Sequence, residues 1–375
     1  MVYTLAPMTT PADSVEDVAR LIEPDGTRRA DRRLDAWVAD VDADALRALH
    51  RDMVLVRRVD AEGVALQRQG QLGLWPPCRG QEATQVGSAR AMLPRDFAFT
   101  SYRELGVFLT RGAAPADVVL TWRGEVHSSV DPERIGVAIP QIIIGAHSLH
   151  AVGYAMGIQR DGADAASIAY IGDGAMSQGD VGEAMVFAAS FGAPVVFLCT
   201  NNQWAISEPV SLQTRVPLAR RAPGYGIPSI RVDGNDVLAT LAATRWALDH
   251  ARSGRGPAFI EAVTYRMGPH TTSDDPTRYR DPAELASWEQ RDPITRLEAH
   301  LRAVGAFDDA AAAAVEADAD ALCAAVRAAC LGAVTAPPET ILDGVYAEPH
   351  AGLDAQRRRM RAYLGSFADA EEARA

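Results

Sequence analysis

At 375 residues the chain has room for one large α/β domain with appendages, or for two smaller domains. Its 48% hydrophobic and 23% charged content is ordinary for a water-soluble globular protein. The net charge of -12 argues against nucleic acid or an anionic membrane as the main partner. Cys78, Cys199, Cys323 and Cys330 are scattered without a Cys-x-x-Cys pair, so neither a disulfide framework nor a zinc site is expected, and a reducing cytoplasm is. Residues 1–30 lack an apolar signal core. The most apolar stretch, 137–158, is broken by Pro140, Gln141, His147 and His150, so no membrane span is expected.

In chain order, 1–35 shows no sustained periodicity and is expected to be an arm lying on the body or on another subunit. Over 44–69, Leu46, Leu49, Met53 and Val56 recur at helical spacing, and 80–92 reads as a second helix starting at Gly80. From there to 280, strands and helices alternate, which predicts an α/β domain over 36–300 with a parallel sheet covered by helices on both faces. Strands are expected at 167–171, 193–199, 230–232 and 258–263, with helices over 178–191 and 236–252. Asp292-Pro293 opens another helix, and the alanine-rich stretch 308–334 is helical by propensity until Pro337-Pro338. Residues 301–375 thus form a C-terminal helical region and a mixed-charge tail carrying Arg357-Arg358-Arg359 and Glu371-Glu372. No internal repeat is visible.

Two polar clusters stand at the ends of neighbouring predicted strands: Gly172-Asp173-Gly174-Ala175, and Asn201-Asn202 followed by Gln203-Trp204. The carboxyl ends of parallel strands are the usual ligand edge of an open α/β sheet. Asp173 offers a carboxylate, Asn202 an amide oxygen, and Trp204 a backbone carbonyl that the following turn can aim at the same point. Oxygen donors of this kind suit magnesium, which shares its shell with phosphates. Two clusters at matching strand ends favour this reading over a turn plus a helix cap.

This pair, with 29 positions from Asp173 to Asn202, resembles the thiamine diphosphate signature. Further motifs narrow the likeness: Ser101-Tyr102-Arg103-Glu104, Ile142-Ile143-Ile144-Gly145-Ala146, Asn202-Gln203-Trp204-Ala205-Ile206-Ser207, and the run from Tyr265 through Arg266-Met267-Gly268-Pro269-His270 to Pro276. From about 46 to 301 the chain resembles the alpha subunit of the decarboxylating component of 2-oxo acid dehydrogenase complexes, which include pyruvate and branched-chain enzymes. The resemblance implies a thiamine diphosphate-binding fold, decarboxylation of a small 2-oxo acid, and acyl transfer to a lipoyl-bearing acyltransferase. It also implies a separate beta subunit that supplies the activating glutamate, in an α2β2 heterotetramer. Tyr102 and Arg103 are the implied phosphate contacts, and Asp173, Asn202 and Trp204 the implied magnesium ligands. Gly172, Gly174, Ala175, Ile142, Ile144, Ile206 and His270 complete the implied cofactor contacts. Ile144 is the implied apolar wedge beneath the bent cofactor. His270 is the implied catalytic residue, lining the active-site mouth and assisting acyl transfer, a role suited to a group titrating near neutrality.

Several residues carry a plainer reading. Arg103 could equally form a helix-start salt bridge, Ile142-Ile143-Ile144 could be core strand, and a histidine in a polar loop such as 265–280 is more often a surface residue. His147 and His150 share a helix face but have no third ligand, and His127 has no assigned role. Trp122, Trp204 and Trp288 suit either core or subunit contacts. Thr200 stands where branched-chain relatives carry arginine, and Thr271 where animal relatives carry a phosphoserine; nothing in the chain implies a kinase. Among other functions, an acetoin dehydrogenase alpha subunit is the nearest alternative, and a scaffold that kept the fold is disfavoured by the intact motifs. A nicotinamide oxidoreductase fits poorly because Gly172, Gly174 and Gly179 lack the Gly-x-Gly-x-x-Gly spacing. Residues 223–227 and 231–236 look closer to branched-chain relatives, whereas 139–142 and 268–270 look closer to bacterial pyruvate enzymes, so the acyl specificity stays open.

Overall fold

A computed structural model describes residues 17–124 and 130–372, with side chains described up to residue 367. The first described segment lies on the sheet domain. Ala19 pairs in parallel with Val232, and the backbone N–H groups of Leu21 and Ile22 donate to Asp236 Oδ2 at 2.6 and 2.7 Å. Leu21, Ile22 and Leu34 are fully buried there.

Helix α1 (Ala43–Arg68) starts where Asp42 accepts from the Ala45 N–H, and it buries Leu46, Leu49, Met53 and Val56 as their spacing predicts. Helix α2 (Glu82–Ala91) starts two residues later than expected. Gly80 has φ of +96° and cannot be helical; a side chain there would collide with the Tyr265 carbonyl oxygen. Then follow β1 (Phe97–Phe99), α3 (Leu105–Thr110), α4 (Pro115–Arg123), α5 (Pro132–Ile135) and α6 (Ala146–Asp161). Next come β2 (Ser167–Gly172), α7 (Gly179–Phe191), β3 (Val195–Asn201), the short antiparallel pair β4 (Trp204–Ala205) and β5 (Glu208–Pro209), and α8 (Val210–Gln213). Strand β6 (Ser229–Asp233), α9 (Val237–His250) and β7 (Ala258–Val263) complete the sheet, followed by α10 (Pro282–Glu289), α11 (Pro293–Ala303) and α12 (Asp309–Leu331). The chain divides into two compact units, one ending at Leu331 and one from Gly332 that carries α13 (Ala351–Glu372).

The sheet is wholly parallel, in the order β1-β2-β3-β7-β6. Its central strands are apolar throughout because both faces are covered. Ile168, Tyr170, Val196, Leu198 and Ile260 face one core with α2 and α9; Ala169, Ile171, Phe197, Cys199 and Phe259 face the other with α6 and α7. Each large apolar side chain buried this way contributes roughly 1.5–3 kcal/mol, so the sheet is a stiff platform for the loops at its carboxyl edge. Cys323 and Cys330 pack from α12 toward α1 and α4, and all four cysteines are free. Among the described residues no helix is long and apolar enough to cross a membrane.

Candidate functional site

Strands β2 and β3 lie side by side with Gly172 opposite Thr200, so the loops after both strands open on one cavity of about 270 Å³. Asp173 and Asn202 both line it, as do Gly172, Gly174 and Ala175 from the first loop and Trp204 and Ile206 from the second. Gly174 lets the two loops touch, since a Cβ there would lie 2.7 Å from the Ala205 Cβ. A Cβ on Gly172 would meet no protein atom, which leaves the cavity side of that residue free for a ligand.

Asp173 does not cap the short 3-10 turn that follows it. Its carboxyl is buried, its Oδ2 has no hydrogen-bond partner, and burial pushes its pKa up to about 6 despite the nearby Asn202 N–H and Arg266. Asn202 Oδ1 accepts from the Trp204 N–H at 3.2 Å, and its Nδ2 donates to Gln81 Oε1 at 3.2 Å. The Trp204 carbonyl accepts a long bond from Arg266 Nη1 at 3.3 Å, leaving its second lone pair. Among the described residues no group of three or more His, Cys, Asp or Glu side chains is arranged to hold a metal. The cavity instead offers one carboxylate, one amide oxygen and one carbonyl, a hard donor set of the kind magnesium completes with water and ligand phosphates.

The lining also carries a guanidinium, that of Arg103, with the buried carboxyl of Glu104 beside it in sequence. Arg103 is buried and makes no helix-start ion pair: Nη1 donates to the Pro77 carbonyl at 2.6 Å, and Nη2 to the His270 carbonyl at 2.9 Å. Arg266, fully buried, donates to the Ile206 carbonyl at 2.8 Å and the Tyr279 hydroxyl at 2.9 Å, and burial next to Arg103 lowers its pKa to about 10. Among the described residues both guanidiniums hydrogen-bond only neutral groups; Arg266 also has the Asp274 carboxylate nearby, while the charge of Arg103, which lines the cavity, is available to an anion.

His270 sits between them. Its Nδ1 faces Arg103 Nη2 at 3.0 Å and Arg266 Nη1 at 3.4 Å, and its backbone N–H donates to Asp274 Oδ2 at 2.7 Å. Burial, then the charges of Arg103 and Arg266, press its pKa down to about 4. The expectation that it titrates near neutrality is therefore corrected: the ring is neutral at physiological pH. Two guanidinium donors on Nδ1 assign the ring proton to Nε2. Tyr102 packs edge-on to this ring at 6.1 Å and also lines the cavity.

Other expectations change as well. Residues 142–144 are not a strand, and Ile142, Ile143 and Ile144 are 63%, 67% and 43% exposed. Ile144 borders the cavity, whereas Ile142 borders a second, smaller one that meets the first at Tyr102. The polar loop 265–280 nevertheless buries Tyr265, Arg266 and Met267 completely or nearly so. His147 and His150 part company: His147 is buried against the Tyr170 carbonyl at 2.6 Å, and His150 is exposed. His127 lies outside the described residues. Trp204 is buried beside Tyr279, Trp288 stacks on Tyr265, and Trp122 meets Trp75 edge-on. Two features escaped sequence reading altogether. Gln81 is a wall residue of the cavity, and Gln203 and Ile206 hold φ of 73° and 55°, a left-handed conformation that costs a β-branched residue energy and clusters at functional loops.

Residues 50–335 match the family described as Dehydrogenase E1 component. A Mycobacterium tuberculosis protein (strain CDC 1551 / Oshkosh) named 3-methyl-2-oxobutanoate dehydrogenase subunit alpha is 48% identical over 346 residues, covering 92% of this chain and 94% of its own. Proteins named pyruvate dehydrogenase E1 component subunit alpha from Staphylococcus epidermidis (strain ATCC 35984 / DSM 28319 / BCRC 17069 / CCUG 31568 / BM 3577 / RP62A) and Staphylococcus aureus (strain Mu50 / ATCC 700699) are 42% identical over 274 residues, 72% of this chain and 74% of theirs. The family match spans both strand-end loops and every residue named in the cavity, and on it the chain belongs to the Dehydrogenase E1 component family.

Proposed function

We propose that this chain is the alpha subunit of a 2-oxo acid dehydrogenase that binds thiamine diphosphate with a magnesium ion. The observation that carries this reading is that one cavity is lined both by Asp173, whose buried Oδ2 has no partner, and by Arg103, whose guanidinium hydrogen-bonds only neutral groups among the described residues. A divalent cation satisfies the first and a diphosphate the second. Asp173, Asn202 Oδ1 and the Trp204 carbonyl would hold the ion, and Arg103 with Tyr102 the phosphate. Ile144 would set an apolar edge against the rings and exclude water. When bound, thiamine diphosphate supplies the nucleophilic ring carbon and the electron sink for decarboxylation. His270, carrying its proton on Nε2, would hold a substrate oxygen as a hydrogen-bond donor and receive the lipoyl group at the mouth.

A beta chain supplies the remaining half of the site, in keeping with the subunit names of the relatives. The higher identity to the 3-methyl-2-oxobutanoate enzyme favours a branched-chain 2-oxo acid over pyruvate. Four free cysteines support a reducing cytoplasm. The test is turnover of 3-methyl-2-oxobutanoate and of pyruvate by the chain alone and with its beta subunit. Activity only in the assembly, and faster on the branched substrate, is expected. Full turnover by the isolated chain, or none on either acid in the assembly, would refute the reading.

A further inference from the structure

We propose that Gln81 is a ligand-binding residue of this cavity: its side-chain NH2 donates to a phosphate oxygen, while its side-chain oxygen fixes the orientation of Asn202. The proposal rests on the diphosphate reading above and assigns it a new contact.

Gln81 stands just before α2, but its side chain does not cap that helix. The backbone is occupied conventionally, its N–H donating to the Cys78 carbonyl at 3.0 Å and its carbonyl accepting from the Gln85 N–H at 3.2 Å. The side chain is 1% exposed and lines the cavity. Its Oε1 accepts from Asn202 Nδ2, and its Nε2 has no partner.

The direction of both amides follows from one unambiguous donor. The Trp204 backbone N–H can only donate, so the atom of Asn202 facing it must be Oδ1. That turns Asn202 Nδ2 toward Gln81, so the atom of Gln81 facing it must be Oε1. The remaining Gln81 group is then a buried NH2 without a partner, on a residue that lines the cavity. Reversing either amide sets donor against donor. Buried side-chain donors without an acceptor are uncommon in folded proteins, and one on a residue that lines the same cavity as Arg103 points to an anionic ligand as its acceptor. A neutral donor adds recognition of phosphate oxygens without adding charge to a lining that already holds the buried cation of Arg103. Through the same relay, Gln81 keeps Asn202 Oδ1 turned toward the loop that carries the Trp204 carbonyl, where a cation can share it.

The test uses the assembly of this chain with its beta subunit, titrated calorimetrically with thiamine diphosphate plus magnesium and with inorganic pyrophosphate plus magnesium. Gln81→Met conserves volume and removes both amide groups. Roughly tenfold or greater weakening for both probes is expected, with the thermal midpoint of the unliganded assembly within about 2 °C of wild type. Equal affinities in variant and wild type would overturn the role of Gln81 and leave the diphosphate reading standing. If wild type binds neither probe, the diphosphate reading fails first. A wild-type crystal structure with thiamine diphosphate and magnesium decides the matter independently of the variant's folding. Nε2 within about 3.5 Å of a phosphate oxygen supports the proposal, and Nε2 turned away from every phosphate oxygen overturns it.

Discussion

Replacing Arg57 with methionine is expected to destabilise the protein by about 3–5 kcal/mol, because it strands the buried carboxylate of Glu82. Arg57 Nε donates to Glu82 Oε1 at 2.8 Å, and Nη1 to Asp292 Oδ2 at 2.6 Å. The Glu82 side chain is fully buried, and among the described residues only the Gly80 N–H, at 2.9 Å, hydrogen-bonds it besides Arg57. Asp292 loses less, since it also caps α11 through the N–H groups of Ile294 and Thr295. The Arg57 side chain is 24% exposed, so solvent screens part of the pair and the lower end of the range is the better expectation. Urea unfolding of the full chain, followed by circular dichroism, reads the change. Adding Glu82→Gln should recover more than half of the loss, because the uncompensated charge is then gone. A single variant within about 1 kcal/mol of wild type would refute the argument. Since Gly80 and Glu82 flank Gln81, the single variant should also weaken cofactor binding.

Three further outcomes are expected. Gly63→Ala places a methyl group inside the Trp75 indole and should cost at least roughly 2 kcal/mol in the same unfolding experiment; wild-type stability would mean that Trp75 can move. His270 should titrate near pH 4 by proton NMR. Its pKa is depressed relative to the unfolded chain, so its contribution to stability is present above about pH 6.5 and lost as pH falls toward 4; an apparent pKa of 6.5 or higher would contradict the cationic pocket. Arg103→Lys cannot bridge the Pro77 and His270 carbonyls with a fork, and should weaken thiamine diphosphate binding roughly tenfold while leaving the sheet intact; unchanged affinity would remove Arg103 from the phosphate site.

The sheet was legible in the sequence because strands buried on both faces read as unbroken apolar runs, as at Ser167–Gly172 and Ala258–Val263. Asp173 and Asn202 were legible for a related reason: polar residues at the ends of such runs have few structural uses. Ile142-Ile143-Ile144 misled because an apolar run carries no mark of which solvent it faces, and here it borders a cavity. Gln81 was hidden because its meaning depends on a relay through Asn202 and Trp204, more than a hundred residues away. The protonation of His270 was hidden too, since it is set by burial and then by Arg103, 167 residues distant in sequence.

The claim on which the rest depends is that Asp173 and Asn202 grip a divalent ion that anchors a diphosphate. Calorimetric titration of thiamine diphosphate into the assembled protein, with magnesium and with a chelator, and into Asp173→Ala, tests it most directly. Wild-type binding that requires magnesium, together with at least a roughly hundredfold loss in the variant, is the predicted result. Binding that ignores the chelator, or wild-type affinity in Asp173→Ala, would contradict it.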